Sequence, residues 1–470
     1  MKLRSALQWL TLDHLLMALF FLCVTATGTT IGFESDSWWH LRSGELIWQS
    51  GFVWTTDPLS WTVPGAYWPN HEWLSQILFY GSYRAAGLSG AVALMTVVVL
   101  ATWVAEAALC GGPEHLRMPA MALGVMAFAV FWSLRPHMFT LLGVPVLLLL
   151  LRARRMQPVI PALFLLWANL HGGVVLGGVI LVVGAVAAIW YDRSSWRAWL
   201  LIVALSALAT LCTPLGLGLW IYDISRFIDP QPPYLREWMP PSIMWPLSYP
   251  FFLLAALWVG LIAAKWHHLR QRLTTPEGVW PLTLIIVGGL FLLIGFKAIR
   301  NTSLFALVAL PLIVDLAQVI MPAVPERATS LRRALVHWCG LSLTLALAVG
   351  GVVAFWRNDP AHLRPLDPKA IAAVRACPGP LYNTYVLGGP ILWFIPERAV
   401  FIDSREDPYR PMMLDVVNAE TSGDYHAIFT RFNPSCAIVG RRVPLATTLA
   451  AAPDWALTYD GDQVLVFAHK

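Results

Sequence analysis

The chain has 470 residues, of which 57% are hydrophobic and 13% charged, and 32 Lys+Arg against 27 Asp+Glu leave a formal charge of +5. Soluble proteins carry about 25% charged residues, so this composition excludes a disordered protein, a basic nucleic-acid-binding domain and an ordinary cytosolic enzyme. Apolar residues fall in long runs up to about residue 356, after which the composition normalises. The reading is a polytopic α-helical membrane domain, 1–356, with a soluble α/β domain, 357–470.

About 20 apolar residues are needed for a helix to cross about 30 Å of hydrocarbon. Such runs lie at 10–33, 88–110, 118–134, 138–151, 157–170, 173–190, 197–213, 249–264, 279–296, 303–320 and 334–356, giving about eleven spans. Those between 140 and 170 are short enough to require tilting, kinking or shallow embedding. Lys2 and Arg4 before the first run resemble a signal peptide, but Asp13, His14 and the length of the run argue for a retained anchor.

The first span leads into a long loop, 34–87. Its last part, HEWLSQILFYGSYRAA at 71–86, is either a span or a surface helix, and the positive-inside rule decides. As a surface helix it leaves the clusters RARR at 152–155 and KWHHLRQR at 265–272 on the inner side. As a span it moves both outside. The surface reading puts the N-terminus in the cytoplasm and the tail outside.

In the tail, 368–376 reads as a helix, 381–383 as a strand and VLGGPILWF as a short helix. RAVFID at 398–403 reads as a buried strand. Further strands are expected at 435–440, 455–459 and 463–468, with helices near 410–420, 424–431 and 444–451. This alternation predicts a small α/β domain. Asp403, Arg405, Glu406 and Asp407 at a strand end suit either a ligand site or a solvated turn with local ion pairs. Cys377 and Cys436, both beside strands in an oxidising compartment, are candidates for a disulfide. Cys23, Cys110, Cys212 and Cys339 read as packing residues within or beside spans.

With this topology the inner loops are short and basic, while acids, histidines and arginines gather on the outer face. Asp36, His40, His71, Glu72, Arg135, His137, His171, Lys297 and Arg300 all belong there. Polar and ionisable groups at a bilayer are expensive and usually functional. Trp38, Trp39, Trp54, Trp61, Trp68 and Trp73 suit an aromatic belt at the interface, and Asp57-Pro58 a turn. The four histidines share one face, which makes a metal site conceivable, although their spacing is not that of close ligands. No nucleotide-binding glycine motif, nucleophile elbow or HExxH occurs, so no nucleotide cofactor is expected. A carboxylate base with cations for a leaving phosphate suits group transfer from a polyprenyl phosphate.

The first span followed by an outer loop opening with GFESDSWWHLRSGE at 32–45 resembles the GT-C superfamily of integral-membrane glycosyltransferases. TDPLSWTVPGAYWPNHEWLSQ, SLRPHMFT, WANLHGG, IRNTSLF and LYNTYVLGGPILWFIPERAVFIDSRED are similar to a bacterial family of GT-C-like membrane proteins. The resemblance implies a polyprenyl-phosphate-linked sugar donor and a multi-pass protein of the bacterial cytoplasmic (inner) membrane. It also implies a loop-one Asp as base or as an anchor for donor and metal, with Mg²⁺ or Mn²⁺ as candidate cofactor. Asp36 falls at that position, Glu34 is its neighbour and Glu72 a further candidate. A second acid of a later outer loop is one of Asp223, Asp229 and Glu237. The proposed phosphate ligands are Arg135, Lys297 and Arg300, with His40, His71, His137 and His171 as other substrate contacts. The competing readings are a lipid-linked-substrate transporter or flippase, and an assembly protein with a degenerate GT-C core. Transporters carry polar groups near the bilayer midplane and often show repeats; here the span centres hold little charge beyond Glu106 and Asp315.

Overall fold

A computed structural model of the chain describes residues 11–228, 236–321, 331–357 and 365–470. A helix stands at each of the eleven apolar runs. In chain order the helices are α1 (Leu12–Gly28), α2 (Ser35–Ser50), α3 (Trp73–Leu109), α4 (Glu114–Phe128), α5 (His137–Arg152), α6 (Ile160–Leu170), α7 (Val174–Tyr191) and α8 (Trp196–Ala209). There follow α9 (Leu217–Ile228), α10 (Tyr249–Ala264), α11 (Trp266–Leu273), α12 (Val279–Lys297), α13 (Thr302–Ile320) and α14 (Leu331–Arg357). Among the described residues, six helical segments are long and apolar enough to cross a membrane. The 11-residue α6, at 1.5 Å per residue, reaches about half the hydrocarbon thickness. The chain is a multi-pass membrane protein.

The 71–86 segment is a helix of its own. α3 breaks at Ala86 (φ −148°) and Gly87 (φ +61°, ψ −149°). That conformation is open to glycine and hostile to residues with a Cβ, so the chain turns here before the apolar run from 88.

Two compact units result. The first comprises 1–31, 92–132 and 136–354; the second comprises 32–91, 133–135 and 355–470. The loop 34–87, counted above with the membrane domain, therefore falls in the unit that holds the tail. Within the first unit α13 is central, touching α4, α5, α10 and α12. Its residues from Thr302 to Val314 are buried without interruption, as expected of a helix that is apolar all round. Asp315 near its end pairs with Arg272. Cys110 is buried, whereas Cys23, Cys212 and Cys339 face outward rather than packing inside.

The tail contributes α15 (Pro368–Arg375), β1 (Leu381–Asn383), α16 (Gly388–Phe394), α17 (Met413–Ser422), α18 (His426–Phe432), β2 (Cys436–Gly440), α19 (Pro444–Ala451), β3 (Trp455–Asp460) and β4 (Val464–His469). The sheet order is β1-β2-β4-β3, with β1 parallel to β2 and the other pairings antiparallel. RAVFID is buried but is not a strand of this sheet. It makes one bridge, Val400 to Ser60, with Val400 N donating to Leu59 O (3.1 Å) and Trp61 N to Val400 O (3.1 Å). Its apolar run reflects burial under the 55–62 segment rather than sheet pairing. Cys377 and Cys436 form a disulfide that closes a loop of 59 residues, worth about 2–4 kcal/mol by restricting the unfolded chain.

Loop and tail share one apolar core: Trp39, Leu59 and Trp68 pack with Ile391, Val400, Ile438 and Val466. Trp38, Trp39 and Trp68 are thus core residues, not members of an interfacial belt. α2 lies directly on α16, where a Cβ at Gly389 would fall 2.0 Å from Ser35 O.

One half-buried acid in this unit makes stability pH-dependent. Glu420 Oε1 accepts from Tyr385 N (2.7 Å), yet burial outweighs that bond and pushes its carboxyl from 4.5 up to about 7. The native state then holds the proton more tightly than the unfolded chain. Its contribution is complete below about pH 4.5 and is lost as pH rises through 7, a change on the order of 3 kcal/mol. Glu420→Gln keeps an acceptor for Tyr385. The expected result is a higher Tm at pH 8 and a flatter Tm between pH 4.5 and 7; an unchanged profile would refute the assignment.

Candidate active site

Asp36 is placed by the start of α2. Glu34 is its N-cap in extended conformation, and Glu34 N donates to Ser37 Oγ (3.1 Å). Asp36 follows in the first turn, at the positive end of the helix dipole. A parallel bridge between Gly32 and Ser133 brings Arg135 alongside. Arg135 Nη2 meets Asp36 Oδ2 at 2.8 Å and its Nη1 lies 3.4 Å from Glu34 Oε2. Trp39 Nε1 donates to the other Asp36 oxygen (3.3 Å). The carboxylate is therefore held by an indole and a guanidinium, with about a sixth of the side chain exposed.

His40 lies one turn further on the same face. It is buried, stacks on Trp39 with centroids 3.6 Å apart, and sets Nε2 3.8 Å from Glu72 Oε2. His71 Nε2 is 3.7 Å from Glu72 Oε1. Asp36 with Arg135, and Glu72 with His40 and His71, are thus two clusters of the second unit.

A third cluster in that unit was not legible as such. Arg405 is buried and pairs with Asp57 Oδ1 and Asp403 Oδ2, both at 2.7 Å. Tyr409 Oη donates to Asp403 Oδ2 (2.8 Å), and the guanidinium lies 4.7 Å from the Trp68 ring centroid. Burial opposes the Arg405 charge, but Asp403, Tyr409 and Asp57 hold its pKa well above the ordinary value. Asp57 does make the expected turn, accepting from Leu59 N (3.0 Å) and Ser60 N (3.2 Å). The Asp403–Arg405 stretch is neither a solvated turn nor open to a ligand; it is an internal ion network. Glu406 beside it has φ +61°, ψ −53°, with Asp407 N donating to Arg405 O (2.7 Å). A non-glycine residue persists in such a strained turn only where its surroundings over-determine it.

In the first unit, Gly173 N donates to His171 Nδ1 (3.0 Å), and Thr140 Oγ1 lies 2.7 Å from the same nitrogen. Trp167 Nε1 donates to Thr140 Oγ1 (2.8 Å). With Gly173 N donating to Nδ1, neutral His171 carries its proton on Nε2. His137 Nε2 is 2.9 Å from Phe131 O. Arg300 pairs with Glu237 (2.8 Å) and lies 4.4 Å from the Trp238 ring centroid. Lys297 is exposed in the last turn of α12. Of the three second-acid candidates, Glu237 faces Arg300, Asp223 lines an apolar groove, and Asp229 lies outside the described residues.

Among the described residues, no three His, Cys, Asp or Glu side chains converge as metal ligands. Glu34 and Asp36 both face Arg135. These residues do not by themselves fit Mg²⁺ or Mn²⁺. Trp39 and Thr140, which orient Asp36 and His171, carried no signal in the sequence beyond being an indole and a hydroxyl near a charged motif.

No protein-family model matches the sequence, and no curated protein matches it. Among solved structures, the Archaeoglobus fulgidus oligosaccharyltransferase AglB, in complex with an inhibitory peptide and a dolichol-phosphate, is similar over 90% of this chain and 69% of its own. The TM-score is 0.53 at 12% identity. The apo form of the A. fulgidus oligosaccharyltransferase is similar over 92% of this chain and 70% of its own (TM-score 0.51, 11% identity). ArnT from Cupriavidus metallidurans bound to undecaprenyl phosphate aligns over 96% of both chains (TM-score 0.48, 12% identity). The archaeal likeness is one of fold: the chain shares the overall architecture of these membrane oligosaccharyltransferase structures.

Proposed function

We propose that the chain is a GT-C-type glycosyltransferase, moving a sugar from a polyprenyl-phosphate-linked donor to an acceptor at the outer face of the bacterial cytoplasmic membrane. The N-terminus is then cytoplasmic and the C-terminal domain extracytoplasmic. The observation that carries this reading is the Asp36–Arg135 pair, a base and a phosphate-binding cation side by side at the start of loop one. The fold supports it, since the similar archaeal enzyme was solved with a dolichol-phosphate.

In the proposed reaction Asp36 takes the proton of an acceptor hydroxyl, whose oxygen attacks the anomeric carbon. The bond from that carbon to the phosphate oxygen breaks, and polyprenyl phosphate leaves with the electron pair. Arg135 keeps Nη2 on Asp36 and turns Nη1, the longer contact, from Glu34 to the phosphate. A guanidinium fork suits both contacts at once. Glu72, with His40 and His71, is assigned to the acceptor's other hydroxyls. His137, His171, Lys297 and Arg300 are assigned to substrate binding. No step is routed through a metal.

The test uses membranes containing the chain and a labelled polyprenyl-phosphate sugar. Release of polyprenyl phosphate together with labelled acceptor is expected. Movement of intact donor across the bilayer without loss of sugar would overturn the reading in favour of a flippase.

A further inference from the structure

The structure assigns a membrane contact to α9: it is an interfacial helix whose apolar face enters one leaflet of the bilayer. α9 has 12 residues, about 18 Å of helix, and cannot cross. Leu217, Trp220, Ile221 and Ile224, spaced i, i+3, i+4 and i+7, fall on one stripe. That stripe is outward: Leu217 is 67% exposed and Ile221 70%. A second face, Leu219 and Asp223, is turned inward at 1% and 8%. Tyr222, Ser225 and Arg226 form a third sector, partly exposed, with Arg226 set over the Tyr222 ring at 5.7 Å. Three faces, apolar-outward, buried and polar, suit a helix lying between lipid, protein and water.

The occupant of the outward stripe is argued from continuity. α8, just before α9, exposes Leu200, Leu201, Leu205 and Leu208, the surface that a membrane helix gives to lipid. Trp220 Nε1 donates to Thr210 Oγ1 (2.8 Å), directly after α8 ends, so α9 is pinned where that apolar surface stops. α10, the next span, again exposes Tyr249, Leu253 and Leu257. One acid and one base in α9 leave it without net charge among Asp223 and Arg226, so apolar insertion drives the contact and a zwitterionic bilayer suffices.

The experiment places a nitroxide at Ile221→Cys or, separately, Ser225→Cys in the full chain. Cys23, Cys212 and Cys339 are first replaced by serine, and the protein is held in phosphatidylcholine vesicles. At position 221 oxygen is expected to relax the label several-fold more effectively than a water-soluble nickel chelate, with the order reversed at 225. Equal access of the chelate to both positions would overturn the proposal by placing the stripe in water. Exclusion of both relaxants from 221 would overturn it by showing that protein, such as a second copy, covers the stripe. Ile221 is outward, so the cysteine is tolerated; a matching elution profile for both variants confirms the fold.

Discussion

Arg405→Met is expected to destabilise the second unit by about 3–5 kcal/mol, the penalty for removing one partner of a buried ion network. The guanidinium stands between Asp57 and Asp403, and all three side chains are shut off from water. Methionine fills much of the same volume but leaves two carboxylates buried without their cation. In detergent-solubilised protein this reads as a fall in Tm of about 10 °C. Adding Asp57→Asn and Asp403→Asn to Arg405→Met is expected to recover part of the loss, because the neutral amides no longer carry unpaired charge. A single variant that melts with the wild type would show that the network contributes nothing to holding loop one on the tail.

That network also marks the limit of what sequence reasoning reached. Elements were legible wherever one local pattern decides: the apolar runs became helices, and four of five expected tail strands formed. RAVFID failed because a short buried run has the same composition whether it pairs in a sheet or lies beneath a loop. The tryptophans of loop one failed for a related reason. Trp38, Trp39 and Trp68 suit an interface belt and a protein core equally until it is known that the tail covers them. Asp57 read as a turn residue and Arg405 as part of either a ligand site or a solvated turn, since their meaning lies in a partner far along the chain.

The candidate site was legible in parts for the same physical reason. Asp36 stands out by its place in the first turn after an apolar helix, and Arg135 by its tight turn between apolar runs. Their meeting depends on the Gly32–Ser133 bridge, which no local signal announces. Glu72 was visible as an acid beside His71, but its approach to His40 depends on where the turn before α3 meets α2. His171 shows most plainly how geometry refines a residue type. The sequence offers an imidazole; the Gly173 N–H aimed at Nδ1 determines which nitrogen carries the proton in the neutral ring.

Asp36→Asn separates holding from chemistry. Asparagine keeps the shape and can still accept from Trp39 or Arg135, but it cannot take up the proton of an attacking hydroxyl. If Asp36 is the base, sugar transfer falls by about 10²–10⁴-fold while binding of the polyprenyl-phosphate donor persists. Arg135→Gln is expected to differ in kind: without the cation, donor binding and turnover fall together, and Asp36 loses its 2.8 Å partner. Arg135→Lys restores charge but not the two-pronged contact, so it recovers binding more than turnover. Donor binding is read by displacement of a fluorescent polyprenyl phosphate from the purified protein, and turnover by release of labelled sugar in vesicles. Full turnover in Asp36→Asn would remove this carboxylate from the reaction and leave the pair a structural clasp between α2 and the 133–135 turn. Lost donor binding in that variant, with Arg135 intact, would instead assign Asp36 to holding the guanidinium in place.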